Sequence, residues 1–170
     1  ISAHGGEITS AVAGGYDVYS GTSMAAPNMA GAIALLRENL KNTHPELDTN
    51  TLLGRTQLTA LVNQVLMSTA TIALNEEGNP YSPRKQGAGL ASIKNATTTE
   101  SYITVKDSKG NVRDKTKVEL YDDPDRTGVY EFTFTVNNIS ANTVRYNPTV
   151  YVMTETLASD GKTVAEKAYM

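Results

Sequence analysis

Gly21-Thr22-Ser23-Met24-Ala25-Ala26-Pro27, running on into Asn28-Met29-Ala30-Gly31-Ala32-Ile33-Ala34-Leu35-Leu36, is the stretch on which the fold turns. Between Met24 and Leu36 only Asn28 carries a polar side chain. A helix that is apolar around its whole circumference has no side to give to water and is expected inside a protein. Most of these residues are Ala or Gly, so neighbouring elements could come close from every direction. Pro27 is tolerated near the start, because the first helical N–H groups lack carbonyl partners anyway. Ser23 and Thr22 then admit two readings. One of them is a helix N-cap, accepting a bond from the free N–H groups. Alternatively Ser23 is a nucleophile, since those same N–H groups and the positive end of the helix dipole can hold a developing oxyanion. Gly21 would let the backbone turn tightly and leave the hydroxyl open to substrate.

Upstream, Ala3-His4-Gly5-Gly6 and Ala13-Gly14-Gly15 punctuate residues 1–20, with strands between them marked by Ile8, Val12 and Val18-Tyr19. Downstream, Arg37-Glu38-Asn39 and Lys41-Asn42 mark the emergence into water and put the helix end near Leu40. Thr43-His44-Pro45-Glu46-Leu47-Asp48 reads as a loop, because the residue before a proline avoids helical angles. A second helix is predicted from about Gln57 to Met67, where Leu58, Leu61, Val62, Val65 and Leu66 fall at i, i+3, i+4, i+7 and i+8. Thr69 to Leu74 reads as a strand. Asn75 to Arg84 reads as a polar loop closed by Gly87 and Gly89.

Around Ala96-Thr97-Thr98-Thr99 the helical pattern gives way to alternation. Tyr130, Phe132, Phe134 and Val136 share one face of a two-residue repeat, and Ile103/Val105, Val118/Leu120 and Val150/Val152 repeat it. Lys109-Gly110-Asn111 and Ser159-Asp160-Gly161-Lys162 are hairpin signals. Counting Val164 to Tyr169, the pattern predicts about five strands and a fibronectin- or immunoglobulin-like sandwich. Such sandwiches use about seven strands, so this one is expected to be cut short at Met170.

Length and composition bound the rest. A chain of 170 residues makes one large domain or two small ones. A net charge of −3 points to neither nucleic acid nor an anionic membrane as partner. The absence of cysteine removes disulfides, thiolate catalysis and Cys-based zinc sites together. No pair of histidines has metal-type spacing, and no cofactor or metal is expected. Asp122-Asp123-Pro124-Asp125 lacks the spaced ligands of a calcium loop and reads as a turn, as Asp and Pro favour.

The seven residues Gly21 to Pro27 resemble the nucleophile segment of the subtilisin-like serine proteases, the subtilases. Ile1 to Ile8 and Tyr16 to Ser20 resemble the strand pair leading into that family's serine, with His4 where an Ala-Pro-Gly stretch usually has its proline. Val65-Leu66-Met67-Ser68-Thr69-Ala70 resembles a later helix end of the same domain. Gln86-Gly87-Ala88-Gly89-Leu90 is similar to a closing segment of large cell-envelope subtilases of the lactocepin and C5a peptidase type.

The resemblance implies a mixed α/β fold. Residues 1–97 would be the C-terminal segment of a subtilisin-like catalytic domain built on a parallel sheet, and residues 98–170 an all-β, fibronectin-like sandwich. It implies Ser23 as catalytic nucleophile, with Gly21 and Thr22 associated with substrate and oxyanion. In that family the triad runs Asp, His, Ser, and this chain begins 22 residues before its serine. The acid, the base and the oxyanion Asn are therefore expected on an upstream segment. Asn28 is excluded from the oxyanion role by order. His4 lies on the strand just before the serine and is rejected as the base, and His44 is expected to be solvated. Asp17 is close to Ser23 in sequence but has no histidine to orient.

The function implied is serine endopeptidase, exercised by an intact parent on polypeptide substrates, extracellular or attached to the cell envelope of a bacterium. Without the triad partners the chain alone is expected to be inactive. The alternatives are a non-enzymatic cell-surface interaction or structural module, and a processed subunit held by the rest of a protease. Residues 1 to ~95 look incomplete as a folding unit, so self-association is expected where a sheet edge and an apolar helix lie open.

Overall fold

A computed structural model describes residues 1–107, 109–162 and 164–169, without the side chains of Val164, Ala165, Glu166 and Ala168. Its chain divides into two compact units, each drawn from separate stretches of sequence. The first comprises Ile1–Leu35, Ala70–Ile93 and Arg145–Met170, and the second Leu36–Thr69 and Lys94–Val144.

The first unit opens with a hairpin. Strand β1 (Ile8–Val12) pairs antiparallel with β2 (Gly15–Tyr19), from Ile8 opposite Tyr19 to Val12 opposite Gly15. Ala13 and Gly14 make the turn, and Gly14 stands at φ +89°, a conformation that favours glycine. Helix α1 (Thr22–Thr43) follows directly. Three separated segments then meet through single backbone bridges. Ser2 lies parallel to Leu90, and Leu90 lies antiparallel to Thr71. Gly89 is required at that meeting point, because a Cβ there would come within 2.5 Å of the Thr71 carbonyl oxygen. Gln86 holds the loop beside it. Its buried side-chain amide accepts from Ala73 N–H at 2.7 Å and donates to the carbonyls of Ala73 and Tyr81. The segment Gln86 to Leu90 thus ties the N-terminal residues around Ser2 to residues 71–81.

A four-residue helix, α3 (Pro83–Gln86), carries Gln86, capped by Ser82, whose Oγ accepts from Arg84 N–H at 3.2 Å. Strands β5 (Val152–Leu157) and β6 (Val164–Tyr169) form a second antiparallel hairpin in this unit, and Arg84 pairs with Glu155 on β5 at 3.0 Å.

The second unit contains the end of α1 from Leu36, helices α2 (Leu52–Ser68) and α4 (from Lys94 on, within Ile93–Thr98), and the antiparallel pair β3 (Ser101–Val105) and β4 (Phe134–Asn138). Its core is Leu36, Leu40, Leu58, Leu61, Val62, Val65, Leu66, Ala96 and Val105. The repeat read on α2 is therefore its buried face. Gln64 on that helix is buried as well, its amide donating to the Arg113 carbonyl at 2.7 Å.

Several boundaries differ from the sequence expectation, each for a local reason. Helix α2 starts at Leu52 rather than near Gln57, because Thr51 caps it and accepts from Gly54 N–H at 3.0 Å. Its first turn has no apolar repeat, since Leu52 and Leu53 are exposed. Helix α1 runs three residues past Leu40 and stops before Pro45, with Thr43 Oγ1 donating back to Asn39 O. Thr69–Leu74 is not a strand and has only single bridges at Thr71 and Leu74. The alternation of Tyr130 to Val136 becomes a strand only from Phe134, because its partner β3 ends at Val105, opposite Phe134. Val118 and Leu120 belong to no strand. Helix α1 is not buried all round either. Among its described residues only Leu36 and Leu40 are buried, while Ala26, Pro27, Ala30, Gly31, Ala34 and Leu35 are exposed. Side chains this small leave a face wet wherever a neighbour does not close on them.

Candidate active site

The serine turn is built by backbone geometry. Strand β2 ends at Tyr19, and Gly21 stands at φ +153°, from where its carbonyl accepts from Met24 N–H at 3.1 Å and Ala25 N–H at 3.2 Å. Gly21 therefore occupies the cap position of α1, and Thr22 and Ser23 are its first two helical residues. This overturns the reading of either hydroxyl as the N-cap. It also means that the N–H groups of Thr22 and Ser23 have no carbonyl within the helix to bond.

Ser23 is exposed, and its Oγ makes no hydrogen bond among the described residues. Pro27 stands four residues on, inside the helix. Its missing N–H removes the bond that would run to the Ser23 carbonyl. The result is a hydroxyl held on a helical first turn, at the positive end of a 22-residue helix, with solvent in front of it.

The turn is fastened from behind by residues 4–7. Gly21 N–H donates to the Gly5 carbonyl at 2.8 Å, and Glu7 N–H donates to Ser20 Oγ at 2.8 Å. Asn28, on the next turn of α1, donates through Nδ2 to the His4 carbonyl at 3.2 Å. These contacts were missed in the sequence. The Gly5-Gly6 pair was the one available sign that a backbone passes close by.

The titratable residues singled out in the sequence are engaged elsewhere or left in water. His4 is exposed, and only its backbone joins the turn. His44 belongs to the other unit and is not simply solvated. Its ring is half-buried and its Nδ1–H donates to Glu46 Oε1 at 2.8 Å. Glu46 is held below its ordinary range by its own backbone N–H and by that histidine. Asp17 accepts from the adjacent Val18 N–H at 2.8 Å. The acidic run is a turn, in which Asp123 accepts from Gly128 N–H at 2.6 Å and from Thr127 Oγ1 at 3.3 Å. Those backbone donors hold its carboxyl below the usual value. Among the described residues no three His, Asp or Glu side chains gather as a metal would require.

Beside the motif lies an open groove of about 470 Å³. Pro27, Asn28, Ala32 and Leu35 line it from α1, with His4 from the N-terminal segment and Leu90 from the segment Gln86 to Leu90. Ser23 is not part of its lining.

Comparison with known proteins identifies the family. The profile of the subtilase family matches residues 1–89. C5a peptidase of Streptococcus pyogenes is 37% identical over 142 residues, which is 82% of this chain and 11% of that protein. PII-type proteinase of Lactococcus lactis subsp. cremoris is 42% identical over 100 residues, 56% of this chain and 5% of that protein. The chain thus spans about a tenth or less of the length of these two relatives.

Proposed function

Because the chain belongs to the subtilase family, we propose that it carries the nucleophile of a serine endopeptidase whose activity resides in a longer polypeptide. The observation that carries this reading is the exposed Ser23 on the first turn of α1, behind the Gly21 cap. In the proposed reaction Ser23 Oγ attacks the peptide carbonyl carbon while a base takes its proton. The carbonyl oxygen becomes an oxyanion, for which Ser23 N–H is one donor, with Gly21 and Thr22 shaping the approach. Collapse expels the amine, protonated by the same base, and leaves an acyl group on Ser23 that water then removes.

The base and its orienting acid are assigned to a partner segment upstream of Ile1. Neither His4 nor His44 has a hydrogen bond to Ser23. Substrates would be polypeptides, as the names of both relatives suggest for those proteins. The location proposed is extracellular or at a bacterial cell envelope. In the parent, residues 1–97 would complete a parallel-sheet catalytic domain and residues 98–170 would begin a fibronectin-like sandwich. The exposed side of α1, including Leu35, would be covered there. In the isolated chain the same surface would drive self-association, to be read by size-exclusion chromatography.

The decisive experiment uses a fluorophosphonate probe on the longest polypeptide that contains this segment. Labelling is expected at Ser23 and is expected to vanish in Ser23→Ala. The 170-residue chain by itself should release no peptide from casein above background. Ser23-dependent turnover by that chain alone would refute the assignment of the base to another segment.

A further inference from the structure

We infer that Gly5 is a positioning residue for Ser23, setting the first turn of α1 through the Gly21 carbonyl; the inference rests on the nucleophile role proposed for Ser23. Three hydrogen bonds join residues 4–7 to residues 20–28: Asn28 Nδ2 to His4 O, Gly21 N–H to Gly5 O, and Glu7 N–H to Ser20 Oγ. Glu7 stands at φ +51°, a left-handed conformation rare for a residue with a side chain. Its N–H makes the last of those bonds.

Gly5 sits at the tightest point of this seam. A Cβ built on it would lie 2.6 Å from the Gly21 carbonyl oxygen, 2.8 Å from Ala25 Cβ and 3.0 Å from Ala25 N. None of these atoms can swing aside as a long side chain would. The Gly21 carbonyl is also the acceptor for Met24 and Ala25 N–H, so it closes the turn on which Ser23 stands. A methyl group at position 5 must therefore displace either residues 4–7 or the serine turn itself. Displacing the turn misdirects Oγ and the Ser23 N–H together, and a misplacement of about 1 Å at a reacting group costs on the order of 10²-fold in rate.

The test measures the rate of fluorophosphonate labelling and amide hydrogen exchange at Gly21 and Met24, in the longest polypeptide that contains this segment. Gly5→Ala is expected to slow labelling by on the order of 10²-fold. It should raise exchange at both amides while α2 stays protected. Ser20→Ala, an exposed change, is expected to slow labelling by about three- to tenfold, one hydrogen bond's worth, and Ser20→Thr to restore it. Labelling at the unsubstituted rate in a folded Gly5→Ala protein overturns the inference. If Gly5→Ala does not fold, equal labelling of the Ser20→Ala and Ser20→Thr proteins overturns it instead. Absence of labelling in the unsubstituted protein would refute the nucleophile reading. Exchange then still decides the seam, because unchanged protection of Gly21 and Met24 in both Gly5→Ala and Ser20→Ala shows that the turn does not depend on it.

Discussion

The unit that carries Ser23 and the unit that carries α2 are held together by different forces. All nine buried Leu, Val and Ala side chains among the described residues, from Leu36 to Val105, lie in the second unit, and the first buries Pro80. The first unit has instead a seam of backbone hydrogen bonds, a buried Gln86 amide and glycines where two backbones meet. A fully buried aliphatic side chain contributes about 1.5–3 kcal/mol, whereas an exposed-to-internal exchange of hydrogen bonds nets about 0.5–1.5 kcal/mol each. Stability is thus concentrated away from the candidate site. The site is positioned by directional contacts that hold geometry well and contribute little driving force. The same unit leaves Tyr16, Val18 and Leu35 exposed.

That contrast can be broken most directly in the second core. Leu58 is 1% exposed, and Leu58→Ala is expected to destabilise that unit by about 2–5 kcal/mol, read from denaturant midpoints. Exchange in α2 should accelerate far more than exchange at the bridges of Ser2, Thr71 and Leu90. An equal acceleration in both places would show one cooperative body and dissolve the distinction. In the first unit the largest effect is expected from Gln86→Ala. It leaves the Ala73 N–H and the Tyr81 carbonyl without their partner, while the Ala73 carbonyl keeps the Tyr81 N–H, at a cost of about 1–3 kcal/mol. Its mark should be exchange at Ala73 and Leu90, with α2 unchanged.

Smaller changes sharpen the same contrast. Thr51→Ala removes the cap of α2 and should cost about 1 kcal/mol, visible as fraying at Gly54 and Arg55. The smallest effect is expected from pH. The carboxyls of Asp107 and Asp123 are held below 3.8 in the folded chain, chiefly by backbone N–H donors from Asn111 and Gly128 respectively. A depressed folded value means that the contribution is present above the unfolded value and is lost as pH falls through the folded one. Denaturant midpoints should therefore decline slightly below pH 3.8, and Asp123→Asn should lessen that slope. Both groups belong to the second unit, so the bridge segment of the first should not respond.

Much of the local structure was legible before any coordinates. The apolar repeat of Leu58 to Leu66 defines the buried face of α2, and Gly14 with Gly15 sets the β1–β2 turn. The string Gly21 to Pro27 indicated the family that the comparisons then showed. Reading faltered where the outcome depended on a partner. Tyr130 and Phe132 alternate as well as Phe134 and Val136 do, yet only the latter pair finds a strand opposite, on β3. The small-residue surface of α1 reads as interior, but in this chain most of it is wet. A helix cap was one of two readings of the hydroxyls at 22 and 23, and Gly21 took that role because its carbonyl faces the helix while its N–H is drawn to Gly5.

Sequence alone determined the family and many of the local elements, because periodicity, turn residues and a seven-residue motif act over a few neighbouring positions. Tertiary structure alone decided which backbone stands behind Ser23, which of the two units holds the apolar core and how far each strand extends. Those outcomes depend on contacts between residues such as Gly5 and Gly21, Thr71 and Leu90, or Val105 and Phe134. No local preference encodes which distant segment will arrive to complete the bond.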